Sequence, residues 1–133
     1  MAQLVLPRVQ AMLICDDVAK SSKDRGVYHL TGVRHSISVP SFPAIRPHLY
    51  VFLHMSGHRG ATSCLVRVLR VATDEIVYES SARNINFKDP TAVRNVIFDV
   101  RNCEFPELGV YYVEIVADNK VVGERRLEIR LEQ

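Results

Sequence analysis

The last quarter of the chain constrains its fold more than any other segment. From Gly109 to Gln133, two runs of alternating apolar and polar residues meet at Asp118-Asn119-Lys120. Residues that tolerate a left-handed backbone, set between two such runs, mark a β-hairpin. The second run puts Leu127, Ile129 and Leu131 on one side and Arg126, Glu128 and Arg130 on the other. A strand with one dry face and one charged face belongs to an antiparallel sheet covered on one side only. The expectation is an all-β chain. The hairpin says nothing about a reaction.

The rest of the sequence extends this reading. Strand patterns cover residues 9–15, 27–39, 48–55, 63–71, 76–80 and 93–101. With the hairpin they make about eight strands, and no amphipathic helix longer than a turn or two is visible. A polar loop follows the first strand at residues 16–26, opening on Asp16-Asp17. Gly32 interrupts residues 27–39, which suggests a bulge or a bend between sheets. Pro40, Pro43 and Pro47 make the next connection a poor central strand. Asp89-Pro90 can begin a single helical turn. Many short strands with glycine and proline turns imply a single antiparallel β-sandwich spanning residues 1–133. Tyr111, two residues after Gly109, can bury its ring and return its hydroxyl to the preceding turn, as the tyrosine corner of Ig-like domains does. The chain has no tryptophan, so the antibody-type Cys…Trp…Cys core is absent.

Composition narrows the partners. At 133 residues, 47% hydrophobic and 24% charged, the chain has enough apolar matter for one core and is not of a disordered type. A net charge of +2 gives no case for a nucleic-acid binder. The first ten residues lack the basic start and apolar run of a signal peptide, and nothing approaches the ~20 apolar residues of a membrane span. The expectation is a cytoplasmic protein with no nucleic-acid or membrane partner. Cys15, Cys64 and Cys103, an odd number, read as buried free thiols rather than a disulfide framework.

Three segments carry a resemblance: Ala11-Met-Leu-Ile-Cys-Asp-Asp17, Leu30-Thr-Gly-Val33, and residues 105–127 with Gly109-x-Tyr111 and Val122-Gly123-Glu-Arg125. Together they resemble a small bacterial family of β-sandwich proteins of unknown function. The resemblance implies a short, mostly stand-alone β-sandwich and brings no activity, cofactor or functional residue with it.

Strand parity suggests where a site would lie. If residues 27–39 act as one strand, the loops at 16–26, 56–62 and 82–92 share one end. That end gathers Asp16, Asp17, Lys20, Lys23, Asp24, Arg25, His58, Arg59, Arg83 and Lys88. Loop-bearing ends are common binding surfaces, although solvated loops are often charged for no further reason. If Gly32 closes a hairpin instead, the later loops change ends and the surface dissolves.

Two rival readings exist. Asp16, Asp17, His54 and His58 offer oxygen and nitrogen ligands for a metal-dependent hydrolase. However, a four-residue spacing puts two histidines on one face only in a helix, and this segment reads as strand then turn. No Cys-x2-Cys or His-Glu-x2-His pattern occurs, so no metal or other cofactor is expected. The second rival uses aromatics. Tyr50 and Phe52 lie opposite Leu49, Val51 and Leu53, and Phe42 in the proline connection either covers them or joins them in a small-ligand or carbohydrate site. The leading expectation is a non-catalytic binding or assembly module. It would engage a protein partner, or a second copy, through the edge of its last strand or through the loop-bearing end.

Overall fold

The computed structural model describes residues 5–133; the first four, part of the segment read above for a signal sequence, lie outside the described residues. Ten strands and no helix occur among them: β1 (Arg8–Lys20), β2 (Tyr28–Val33), β3 (Ser36–Val39), β4 (Ala44–Ser56), β5 (Gly60–Arg70), β6 (Glu75–Glu79), β7 (Arg83–Phe87), β8 (Arg94–Phe105), β9 (Gly109–Ala117) and β10 (Lys120–Leu131). They form two sheets, ordered β2-β1-β4-β8 and β3-β10-β9-β5-β6. β7 also pairs with β5: it lies beside Gly60–Cys64, and β6 beside Arg67–Arg70.

Two features raise the strand count. Residues 27–39 bend between sheets, one of the alternatives the sequence offered, and so form two strands, and residues 83–87, taken as loop, form a strand that buries Ile85 and Phe87. These account for ten strands where about eight were expected. The topology is also not wholly antiparallel, because β3 runs parallel to β10, with Ser36 opposite Glu128 and Val39 opposite Leu131.

The core follows the alternation of the strands. Leu49, Val51, Leu53 and Met55 of β4 and Val96, Phe98 and Val100 of β8 face inward from one layer. Val66 and Val68 of β5, Tyr111, Val113 and Ile115 of β9, and Leu127 and Ile129 of β10 face them from the other. Burying each such side chain stabilises the fold by roughly 1.5–3 kcal/mol. The β9–β10 turn has Asp118 and Asn119 at φ 47° and 66°, both left-handed, as a two-residue hairpin matching strand twist requires. Thr62 Oγ1 donates to Asp118 Oδ2 at 3.0 Å and fixes the turn to β5.

The β1–β2 hairpin folds back over the outer face of its own sheet. β1 pairs with β4 only as far as Cys15–Tyr50, then pairs with β2 from Cys15 to Lys20. Continued in plane, β1 would carry Lys20 ~17 Å past the Cys15–Tyr50 pair. Instead Tyr28, the partner of Lys20, packs its ring 5.3 Å from that of Phe52, on the face opposite the core. The hairpin is pinned at both ends. At its base Asp16 Oδ1 accepts from Arg34 Nε and from Arg46 of β4, each at 2.6 Å. At its tip Asn95 Nδ2 of β8 donates to the Gly26 carbonyl at 3.4 Å. Gly32 faces Asp16 in the ladder at φ +66°, and a Cβ there would stand 2.3 Å from Asp16 Oδ2. Only glycine allows the carboxylate that close, in that conformation.

The two flanks of the molecule differ. On one, Arg83 of β7 donates to the Ile97 carbonyl of β8, and Arg94 of β8 donates to the Asn86 carbonyl of β7. Each arginine occupies an edge carbonyl of the opposite sheet. On the other, β1 and β10 lie side by side. Their facing edges pair with β2 and β3 only beyond Cys15 and Glu128, and each strand bulges before that point, at Val9/Ala11 and Val121/Gly123. Gly123 allows the approach, since a Cβ there would stand 3.0 Å from Val9.

Candidate functional site

Three connections from distant parts of the chain meet at one end. Residues 57–59 join β4 to β5, residues 88–93 join β7 to β8, and residues 21–27 form the tip of the folded-back hairpin. The Gly57 amide donates to the Pro90 carbonyl at 3.0 Å, linking the first two, and the Asn95–Gly26 bond links the third. The three expected loops thus share an end, although residues 27–39 are not one strand. β2 and β3 both run away from this end while the chain changes sheet, so the direction is that of a single strand.

The expected residues do not all join them. Asp16 and Asp17 are not in a loop but inside β1, where Asp16 binds two arginines at the base of the hairpin and Asp17 is exposed. Their charges misled the sequence reading, since an Asp-Asp pair looks like a strand end. Arg83 is not in a loop either: it belongs to β7, with its guanidinium 5.0 Å above the Phe98 ring. Arg25, Arg59 and Lys88 are exposed at the end. His58 is half-buried there, its ring 5.7 Å from that of Phe87 and Nδ1 2.8 Å from the Val5 carbonyl. Asp89 turns inward on its own loop, accepting from the Thr91 amide at 2.8 Å and its hydroxyl at 2.6 Å. Those bonds, the hydroxyl's foremost, hold its carboxyl below the usual range. Across residues 21–27, 57–59 and 88–93, Lys23, Arg25, Arg59 and Lys88 outnumber Asp24 and Asp89, so the three connections carry a positive surplus.

Between the hairpin tip and the start of β8 lies a cleft of about 610 Å³, with Lys20, Arg25, Tyr28, Val93 and Asn95 in its wall. Lys20 pairs with Tyr28, so both side chains leave the hairpin toward the sheet below. Arg94 contributes its stem, its guanidinium being engaged at Asn86. Asn95 Oδ1 is the sole buried side-chain polar atom without a hydrogen-bond partner among the described residues. No motif announces this cleft; it exists only because the hairpin folds back.

The residues of the rival readings do not converge. Asp16 is held by arginines, His54 packs against Phe52 with ring centres 5.2 Å apart, and His58 lies at the loop-bearing end. Among the described residues no three His, Cys, Asp or Glu side chains are grouped to hold a metal. The three aromatics do not form one surface: Phe52 is 7% exposed, and half-buried Tyr50 stacks on the exposed His48 instead. The cover over Phe52 is the β1–β2 hairpin, not Phe42, which packs against the core instead. All three thiols are buried and unpaired, and burial pushes Cys64 up to about 11 and Cys103 up to about 12. The edge of β10 is closed by β3 from Glu128 to Leu131, so strand addition has no free edge there.

These features define a two-layered all-β protein whose candidate site is an end surface with a cleft. The chain belongs to a family of unknown function, DUF6941, whose family model matches residues 10–130. A comparison with the curated proteins found no match. No helix among the described residues is long and apolar enough to cross a membrane.

Proposed function

We propose that this protein is a non-catalytic binding module: a single Ig-like β-sandwich of the bacterial cytoplasm that engages a protein partner through its loop-bearing end. The observation that carries the reading is the convergence of three distant connections on that end, whose Lys23, Arg25, Arg59 and Lys88 outnumber their Asp24 and Asp89. Loops held by a rigid scaffold suit recognition, and an unbalanced charge steers an oppositely charged partner. One core shared by both sheets, a third strand parallel to the last, and Tyr111 bonded to the turn before its strand support the Ig-like reading. Unpaired thiols fit a reducing compartment. Self-association through β10 is the weaker option, since the free part of its edge is bulged.

A photo-crosslinking residue placed at Arg59 or Lys88 tests this in cells of the source organism. The reading expects one protein adduct, absent when the crosslinker replaces Glu104 at the far end and absent when, with the crosslinker at Arg59, Arg25 and Lys88 are both changed to Glu. Equal adducts from both ends, or none from the loop-bearing end, would sink it.

A further inference from the structure

We propose that the cleft between the hairpin tip and β8 receives the C-terminal carboxylate of the protein partner; this rests on the reading of the loop-bearing end as a protein-binding surface. Three properties of the cleft specify the chemistry. Lys20 and Arg25 line it against one acid, Asp24, so it favours a negative group. Asn95 lines it, and its Oδ1, buried beneath the hairpin tip, is an acceptor with no donor. A buried acceptor left unpaired is costly, so an incoming N–H is favoured there once the tip shifts. Tyr28, Val27 and Val93 give one wall an apolar character.

A chain terminus matches all three at once. Its α-carboxylate is one residue from its own last amide N–H, and the side chain between them fills the apolar wall. Capture of terminal carboxylates by fixed donors is a recurrent recognition mode. The cleft volume of about 610 Å³ lies within the ~300–1,000 Å³ of ligand pockets. Access to Asn95 Oδ1 requires the tip to shift. The bond that holds the tip, Asn95 Nδ2 to the Gly26 carbonyl, is 3.4 Å long and correspondingly weak. An isolated phosphate brings charge without the amide. An internal Asp or Glu carries its charge away from the backbone N–H.

The test is a titration followed by amide NMR shifts. The probes are N-acetylated hexapeptides ending in Leu, Val or Phe, as free acids and as C-terminal amides, amidated peptides with an internal Glu, and inorganic phosphate. The proposal expects saturable shifts at Gly26, Tyr28 and Asn95 with the free acids. Amidation should weaken binding at least about tenfold. Lys20→Glu, at an exposed position, should abolish the shifts with the thermal midpoint unchanged. Asn95→Ala should weaken free acid and amide by a similar factor, because both bring the last backbone N–H, whereas Lys20→Glu should act on the free acid alone. Equal binding of acid and amide, shifts with phosphate or internal Glu of the same size, or no shift with any peptide at millimolar concentration overturns it. A partner that crosslinks at Arg59 even when its own C-terminus is removed overturns this inference alone and leaves the binding-module reading standing.

Discussion

The Tyr111 hydroxyl donates to the Glu107 carbonyl at 2.6 Å, while its ring is fully buried with its centre 5.0 Å from that of Phe105. One side chain thereby joins the core to the turn that launches β9. Tyr111→Phe keeps the ring and removes the bond, so it should cost about 1–2 kcal/mol. Urea denaturation would read this as a lower midpoint with an unchanged slope. A midpoint equal to wild type would show that the bond contributes nothing.

Gly32→Ala should be among the most damaging single-methyl additions. It forces a Cβ onto Asp16 and strains a backbone at φ +66°, for a combined cost of about 1–3 kcal/mol. The same change in an Asp16→Ala background should cost less, because only the backbone strain and a 3.1 Å contact with the remaining Cβ persist. Equal costs in the two backgrounds would mean that the carboxylate contact is irrelevant.

Acid should loosen the hairpin through Asp16. The Arg34 hydrogen bond, with the charges of Arg34 and Arg46, outweighs burial and holds this carboxyl below its ordinary value of 3.8. A carboxyl depressed by folding adds stability that is present above its unfolded value and lost as pH falls through its folded one. The stability difference between wild type and Asp16→Asn should therefore be constant near neutrality and shrink below about pH 4. Asp89 and Glu128 are displaced in the same direction, so only that difference isolates Asp16. A difference that stays flat to pH 2 would refute the linkage.

The thiols should be silent in the native protein. Burial raises all three, and a thiol near 11 or 12 holds almost no thiolate at pH 8. A chromogenic disulfide reagent should label none quickly at pH 8 and all three in denaturant. Rapid native labelling of Cys15, whose value is raised by burial and by Asp16 and Asp17, would show that the hairpin opens at its base.

The hairpin should open locally when its ring contact is removed. Tyr28→Ala loses the packing on Phe52 and should expose residues 20–33 to hydrogen exchange, leaving β4 and β9 protected. Uniform loss of protection across both sheets would mean that the hairpin is an integral part of the global unit.

The fold was readable where alternation was undisturbed. The β9–β10 hairpin turns at Asp118-Asn119 as its residues dictate, and Leu127 and Ile129 point inward while Arg126, Glu128 and Arg130 do not. Period-two patterning also located β4, β5 and β8. It failed where a strand carries charges for tertiary reasons. Asp16 is stable in mid-strand because Arg34 and Arg46, far off in sequence, neutralise it. The strand β7 is too short for its two buried residues, Ile85 and Phe87, to stand out from a loop. The loop-bearing end was partly readable from parity. The cleft was not, since Asn95, Lys20 and Tyr28 meet only through a bend with no local signature. The doubly apolar strand around Tyr50 and Phe52 left open whether Phe42 covers the outer face or joins an exposed aromatic site; the structure supplies the hairpin as the cover over Phe52.

The crossed arginines of β7 and β8 have a mechanical consequence. With Arg83 and Arg94 each gripping a carbonyl of the opposite layer, that flank resists separation at its backbone as well as through its side chains. Among the described residues the β1–β10 flank has no such stitch beside its bulges, where contacts such as Gly123 against Val9 hold it. The molecule is thus built like a book, with its spine along β7 and β8 and its loosest page edge on the far side. That edge opens nearest the residues that begin β1, β5 and β10, so breathing of the layers would be felt first at the loop-bearing end.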